Sequence, residues 1–229
     1  MPLHLITGAG SGIGAVVARR LLDRGDQVLL LARDAGRARE IADSLPGAST
    51  IVGDLAQPGR LSWALSKQAL PERIDSLVHA AGVVDLGPVA DLPATLWEHQ
   101  LAVNLVGPAE LTRLLLPLLR VSRGRVVFVN SGAGLHAHAG WSAYAASKHG
   151  LKALADSLRA EEAEHGVRVT SIYPGRTATP MQERVHQQEG RSYEPERFIT
   201  ADSVAATILT ALDLPDDAAL TDLTIRPRG

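Results

Sequence analysis

Seven short runs rich in branched apolar residues recur along the chain: LHLIT (3–7), QVLLLA (27–32), STIVGDL (49–55), SLVHAA (76–81), GRVVFVN (124–130), VRVTSIY (167–173) and DLTIR (222–226). Stretches with helical periodicity separate them, at about 12–24, 34–45, 58–68, 94–119, 141–165 and 201–213, the fourth with a break near Gly107 and Pro108. A strand that is apolar on consecutive positions has to be covered on both faces, and a helix between strands is the crossover that parallel pairing needs. The pattern therefore predicts one doubly wound α/β domain over residues 1–229, a mostly parallel sheet of seven strands between two layers of helices. No linker, internal repeat or low-complexity stretch interrupts it. Residues 175–200 are polar and carry Pro180, Gly190 and Pro195, which predicts a loop with some helix that serves as a lid over a substrate site.

Composition removes several classes of function. The formal net charge is −2, with both signs spread along the chain and no block of like charge, which argues against nucleic acid as a partner. The absence of cysteine excludes a disulfide framework, a thiolate metal site and a thiol nucleophile. There is neither an apolar run of membrane-spanning length nor a basic N-terminal region followed by a long apolar one, so no membrane is expected and the predicted location is the cytoplasm.

The first apolar run leads into TGAGSGIG, residues 7–14. Gly8, Gly12 and Gly14, with Ser11 and Ile13 between them, fall where a strand turns into a helix. Without side chains the backbone there can approach a pyrophosphate, and the helix N-terminus offers free N–H groups to it. The spacing is G-x-x-x-G-x-G. At the end of the second run stands Arg33, with Arg37 one helical turn later. An acidic residue at this strand tip would hold the ribose 2′-hydroxyl of NAD, whereas an arginine suits the 2′-phosphate of NADP. Asp34 is better placed to cap the following helix. NADP is the expected cofactor.

Residues 142–150 read SAYAASKHG. On a helix Tyr144 and Lys148 lie one turn apart on the same face. In isolation such a pair is an ordinary surface contact, but its surroundings are not ordinary. With TGAGSGIG, Asp54-Leu55 after the third run, HAAG at 79–82, Asn104 in LAVNLVG, Ser131 in FVNSGAG thirteen positions before Tyr144, and Pro174-Gly175 in IYPGRTATP, the chain resembles the short-chain dehydrogenase/reductase family over nearly its whole length. The resemblance implies a Rossmann-type fold and an NADP(H)-dependent oxidoreductase. It implies a catalytic tetrad of Asn104, Ser131, Tyr144 and Lys148. It implies cofactor contacts from the glycine-rich turn, Asp54, Leu55, Ala81, Gly82, Pro174, Gly175, Thr177 and Thr179, and from Tyr144 and Lys148 themselves. Two departures stand out: His79 and Ala80 replace the asparagines usual in the HAAG segment, and the chain ends in ALTDLTIRPRG where many members carry a longer glycine-rich tail.

Interconversion of a carbonyl and a secondary alcohol needs a proton donor and acceptor beside a hydride carrier. Free tyrosine titrates near 10, too high for base chemistry near neutrality, and a cation such as Lys148 is expected to favour the phenolate. Tyr144 is then the general acid for carbonyl reduction and the base for the reverse reaction. Ser131 is expected to hydrogen-bond the reacting oxygen. By resemblance, Asn104 holds a water that links Lys148 to solvent. His136, His138 and His149 lack an acidic partner at metal-ligand spacing, so no metal is expected; His136 or His138 is placed to line the substrate pocket. A cofactor-binding regulator without turnover would typically have lost the tyrosine or lysine. An epimerase or dehydratase on a nucleotide sugar would need a larger substrate domain. Stretches 107–119 and 141–165 carry more Leu and Ala than one buried stripe requires, which predicts a homodimer at least, extended in some cases to a tetramer, with Leu151, Leu154 and Leu158 divided between core and interface.

Overall fold

Each predicted apolar run forms a strand in the computed structural model, which describes residues 1–228. The strands are β1 (Leu3–Thr7), β2 (Gln27–Ala32), β3 (Ser49–Val52), β4 (Ser76–His79), β5 (Arg125–Val129), β6 (Arg168–Pro174), the short β7 (Thr177–Ala178) and β8 (Ile199–Thr200), and β9 (Asp222–Ile225). The helices are α1 (Gly12–Asp23), α2 (Ala35–Ser44), α3 (Pro58–Ser66), α4 (Ala94–Leu101), α5 (Gly107–Ser122), α6 (Ser142–Glu161), α7 (Pro180–Glu189) and α8 (Ala201–Asp213). Seven strands form one parallel sheet in the order β3-β2-β1-β4-β5-β6-β9, and β7 pairs with β8 apart from it.

Side chains alternate across the sheet and supply one core on each face. Ile6, Leu30, Val78, Val127 and Ile172 point to the layer of α1 and α8, against Val17, Leu21, Val204 and Ile208. Their neighbours Leu5, Leu29, Leu77, Val126 and Phe128 point to the other layer, against Leu111, Leu115 and Leu119 of α5 and Leu151, Ala155 and Leu158 of α6. The two-residue period of a strand thus loads both faces from one continuous apolar run.

Four details differ from the sequence-based expectation. Strands β3 and β4 stop at Val52 and His79, not at 55 and 81. After β3, Asp54 turns the chain by accepting from the Ala56 N–H at 2.9 Å. The stretch 94–122 is continuous helix; instead of breaking at Gly107-Pro108 it absorbs the proline with a π turn over Ala102–Val106. Glycine is needed at 107 because a Cβ there would lie 2.6 Å from the Leu55 carbonyl oxygen. This helix is long and apolar enough to cross a membrane by length and composition, yet Leu111, Leu115 and Leu119 are spent on the sheet. In the segment expected to be mainly loop, α7 forms ten residues of helix, capped by the Thr179 hydroxyl on the Gln182 N–H and ended by Gly190 at φ 65°. Leu151 and Leu158 both turn into the chain's own core, and of the three leucines expected to be shared only Leu154 is left partly exposed.

Leu115 is fully buried and Val121, on the same helix, is 67 % exposed. Leu115→Ala is expected to lower the unfolding free energy by about 2–5 kcal/mol, and Val121→Ala by less than about 0.5 kcal/mol. Midpoints and slopes of urea denaturation followed by circular dichroism compare the two.

Candidate active site

The strand order reverses between β1 and β4, so the chain leaves these two neighbours in opposite directions and a crevice opens at their C-terminal ends. On the β1 side, Gly8 and Gly12 adopt left-handed backbone at φ 72° and 55°. A Cβ on Gly8 would lie 2.6 Å from the backbone of Ala81, whose own N–H is held by Thr7 Oγ1 at 3.1 Å. Gly14 packs α1 onto the turn, since a Cβ there would stand 2.5 Å from the Gly8 carbonyl oxygen. Ser11 precedes α1 without capping it through its side chain, and no acidic residue occupies the first turn. The first N–H groups of the helix are therefore left for an anionic ligand.

Around this turn lies a crevice of about 640 Å³ whose walls include Ile13, Arg33, Arg37, Asp54 and Leu55. Arg33 is mostly exposed and, among the described residues, pairs only with its neighbour Asp34, Nε to Oδ2 at 3.2 Å. Arg37 is more committed, donating to the Gly10 carbonyl at 2.9 Å and to Glu40 at 2.7 Å. Asp34 caps α2, its carboxylate accepting from the Arg37 N–H at 2.7 Å, and that bond, reinforced by Arg33, holds its carboxyl below the usual range. These residues fit a dinucleotide: a bare glycine turn and free helix N–H groups for the pyrophosphate, and an arginine at the strand tip.

The other end of the crevice holds the tetrad. Ser131 ends β5 and caps the 3₁₀ turn Gly132–Gly134, its Oγ accepting from the Ala133 N–H at 3.1 Å. Its hydroxyl also hydrogen-bonds the Tyr144 phenol. Asn130, which the sequence reading did not single out, ties this turn to α6: its amide donates to the Lys148 carbonyl at 3.1 Å and accepts from the Ser131 N–H at 2.8 Å. Its signal lay only in its place beside Ser131. Tyr144 and Lys148 are both buried, and the ammonium lies 5.8 Å from the centre of the phenol ring. Trp141 packs its edge against Tyr144 at 5.8 Å.

The electrostatics differ from the expectation. In the chain alone the Tyr144 phenol is pushed above its ordinary value by burial, with a hydrogen bond from Ser131 acting the other way. Lys148 donates to the Val129 carbonyl at 3.0 Å, and burial lowers it to about 8. Desolvation outweighs the attraction the sequence suggested. Asn104 sits in the π turn, 1 % exposed. Its amide brackets Val83, accepting from the N–H at 2.8 Å and donating to the carbonyl at 2.9 Å, and also donates to Ser147 Oγ at 3.0 Å.

At the first departure from the family pattern, His79 stacks on Phe128 with ring centres 4.9 Å apart and shares a hydrogen bond with Thr112 at 2.8 Å. Its Nδ1 has no partner among the described residues. Burial, helped by the nearby Lys148 charge, lowers it to about 3, so the ring is neutral at all ordinary pH.

The tetrad opens into a second cleft of about 740 Å³, which shares Ile13, Ala80–Gly82, Thr179 and Met181 with the first. Pro174, Gly175 and Thr177 form its floor, and His136 and His138 lie on its rim. Arg176, missed in the sequence reading, spans it, making a double hydrogen bond to Glu189 at 2.7 and 2.9 Å and facing the Trp141 ring at 6.0 Å. Nothing in its local sequence distinguishes it from a surface arginine. Arg191 and Arg226 complete the charged wall.

A sequence model of the family described as short chain dehydrogenase matches residues 3–190. Over 227 residues the chain is 30 % identical to an uncharacterized oxidoreductase of Staphylococcus epidermidis, covering 97 % of this chain and 96 % of that protein. Among solved structures, an oxidoreductase from Burkholderia thailandensis superposes with a TM-score of 0.84 at 32 % identity, covering 98 % of this chain and 91 % of that one. A short-chain dehydrogenase from Shigella flexneri, crystallised with NADP, gives 0.85 at 26 % identity, with 97 % and 96 % covered.

The lowered Lys148 has a measurable consequence. Below pH 8 the folded and unfolded chains both carry its proton, and the cost of burying the charge is fully present. Between about 8 and the ordinary lysine value near 10.4 only the unfolded chain carries it, so the wild-type chain gains stability relative to a variant without the charge. The difference in unfolding free energy between Lys148→Met and wild type is therefore expected to shift toward wild type by about 1–2 kcal/mol from pH 7 to pH 9.5. Urea titrations at the two pH values read that shift.

Proposed function

The chain belongs to the short-chain dehydrogenase/reductase family of oxidoreductases, and on that footing we propose that it interconverts a carbonyl compound and a secondary alcohol with NADP(H), Tyr144 acting as general acid in reduction and general base in oxidation. The observation that carries this reading is the placement of the Tyr144 phenol. It is buried beside Ser131, one turn from Lys148, in a cleft continuous with the glycine-rich crevice. When bound, the nicotinamide supplies or accepts the hydride.

The chain's own residues manage the proton and the orientation. The Ser131 hydroxyl, which bonds the phenol in the chain alone, donates to the reacting oxygen when substrate is bound, and the same oxygen lies within reach of the phenol. A phenol held above its ordinary value is a willing donor position only if its conjugate base is stabilised during the reaction. The buried ammonium of Lys148 does this from the same helix face. A side chain at Gly82 would meet Asn104 Oδ1 at 3.4 Å and Lys148 Nζ at 3.9 Å, so a hollow lies between these two atoms. Asn104 Oδ1 retains a lone pair there, and a water in that hollow connects Lys148 with solvent.

Arg33 favours NADP, because it stands at the tip of β2 with a guanidinium engaged, among the described residues, only by Asp34. The stretch 175–200, with α7, acts as the lid over the substrate. We read the enzyme as cytoplasmic and as a homodimer through the outer faces of α5 and α6, where Leu116, Leu118 and Leu154 are only partly buried.

A screen of ketones and aldehydes with NADPH and NADH, followed at the nicotinamide absorbance, tests the reaction class. With a responsive substrate, Tyr144→Phe is expected to reduce turnover at least about a hundredfold with little change in cofactor affinity. Retention of half the wild-type rate would remove Tyr144 from proton transfer. Arg33→Ala should weaken NADPH by about 1.5–3 kcal/mol and NADH much less, as read by fluorescence titration of each; equal losses would contradict the 2′-phosphate contact. Sedimentation equilibrium at micromolar concentration should give the mass of two chains, and a single-chain mass throughout would refute the dimer.

A further inference from the structure

Strand β9 delivers an arginine to the substrate cleft. Strand β9 pairs with β6, and the Gly175 N–H donates to the Ile225 carbonyl at 2.8 Å. The next residue, Arg226, is thereby fixed at the open end of the sheet beside the tetrad. Its guanidinium lies against Gly132, the neighbour of Ser131: a Cβ on Gly132 would stand 2.9 Å from Arg226 Nη1. Arg226, Ser131 and Tyr144 line the same cleft.

The charges facing this cation sharpen the point. Arg176 and Arg191 also line the cleft, with His136 and His138 at its rim, and the one carboxylate in its wall, Glu189, is already engaged on both oxygens by Arg176. Arg226 has no hydrogen-bond or ion-pair partner among the described residues. In a chain whose formal net charge is −2, the substrate cleft is cationic, and of its cations Arg226 is the one packed against Gly132, the residue after Ser131.

From this geometry we infer that the carbonyl substrate is a short oxo acid, and the product the matching hydroxy acid, with Arg226 binding the carboxylate as the residue that sets specificity. The inference rests on the proposed reading that Ser131 and Tyr144 hold the carbonyl oxygen. Arg226 presents a planar pair of donors to the two carboxylate oxygens, which a neutral ketone cannot use and an ester uses poorly. Glycine at 132 leaves the space that the guanidinium needs.

The test is calorimetric. Three oxo acids, 2-oxobutanoate, 3-oxobutanoate and 4-oxopentanoate, and their methyl esters are titrated into the full chain saturated with NADP⁺, a state that cannot reduce them, and into the chain alone. At least one acid should bind the NADP⁺ form ten times more tightly than its ester or better. Arg226→Gln should reduce that acid's affinity tenfold or more and the ester's less than twofold, and Arg226→Lys, which keeps the charge, should retain a preference for the acid. The inference is overturned if no acid binds more tightly than its ester, or if Arg226→Gln weakens acid and ester equally. A chain that prefers the acid through Arg226 but takes up no NADP⁺ would sustain the carboxylate contact and refute NADP(H) as the cofactor. A chain that takes up NADP⁺ and shows no preference for any acid would do the reverse.

Discussion

Covering a parallel sheet on both faces is the constraint from which the rest of this molecule follows. Once α1 and α8 close one face and α5 and α6 the other, only the strand ends remain accessible. The reversal of order between β1 and β4 turns one such end into a crevice, which Ser131, Tyr144 and Lys148 reach from the turn after a strand or the helix that follows it, and Asn104 from the π turn inside a longer helix. Apolar burial thus decides where polar chemistry can take place.

The polar groups inside that crevice are held at a cost to stability. Tyr144 and Lys148 are both buried, and burial opposes the charged form of each. What keeps them there is the surrounding framework. Asn130 joins the β5 turn to α6, Lys148 is anchored on the Val129 carbonyl, and Gly134 is required because a Cβ would stand 2.9 Å from the Lys148 carbonyl oxygen. A site under desolvation strain, supported by a rigid sheet, is the arrangement that lets a bound ligand's charge shift these groups toward reactivity.

Much of this was legible in the amino-acid sequence, for reasons that differ by element. The strands of the sheet announced themselves because both-face burial leaves continuous apolar runs. The glycine turn could be read because φ 72° and 55° at Gly8 and Gly12 favour one residue type. The ends of β3 and β4 were misjudged because apolar residues continue beyond the last ladder bond, and Asp54 turns the chain through a side-chain bond that periodicity does not register. Helix α7 was hidden by its polar composition; its evidence was the Thr179 cap and Gly190 stop. Long-range pairings were out of reach. Arg176 and Glu189 meet across 13 positions, and Arg226 meets Gly132 only because the last strand lies beside β6. The direction of the Lys148 ammonium likewise depends on the position of the Val129 carbonyl, which a four-residue spacing cannot reveal.

The π turn at Ala102–Val106 carries a consequence for how this protein can change over time. A π turn holds one residue more than the α-helical ladder needs, and each added residue rotates everything downstream by about 100° around the axis. The leucine stripe of α5 and the inward aim of Asn104 are phased to each other through that extra residue. Deleting any one residue between 102 and 106 would make the helix regular and locally more stable, but it would swing either the amide away from Val83 or Leu111, Leu115 and Leu119 away from the sheet. Descendants of this chain can therefore substitute freely along the exposed side of the helix, while its length across these five positions is locked.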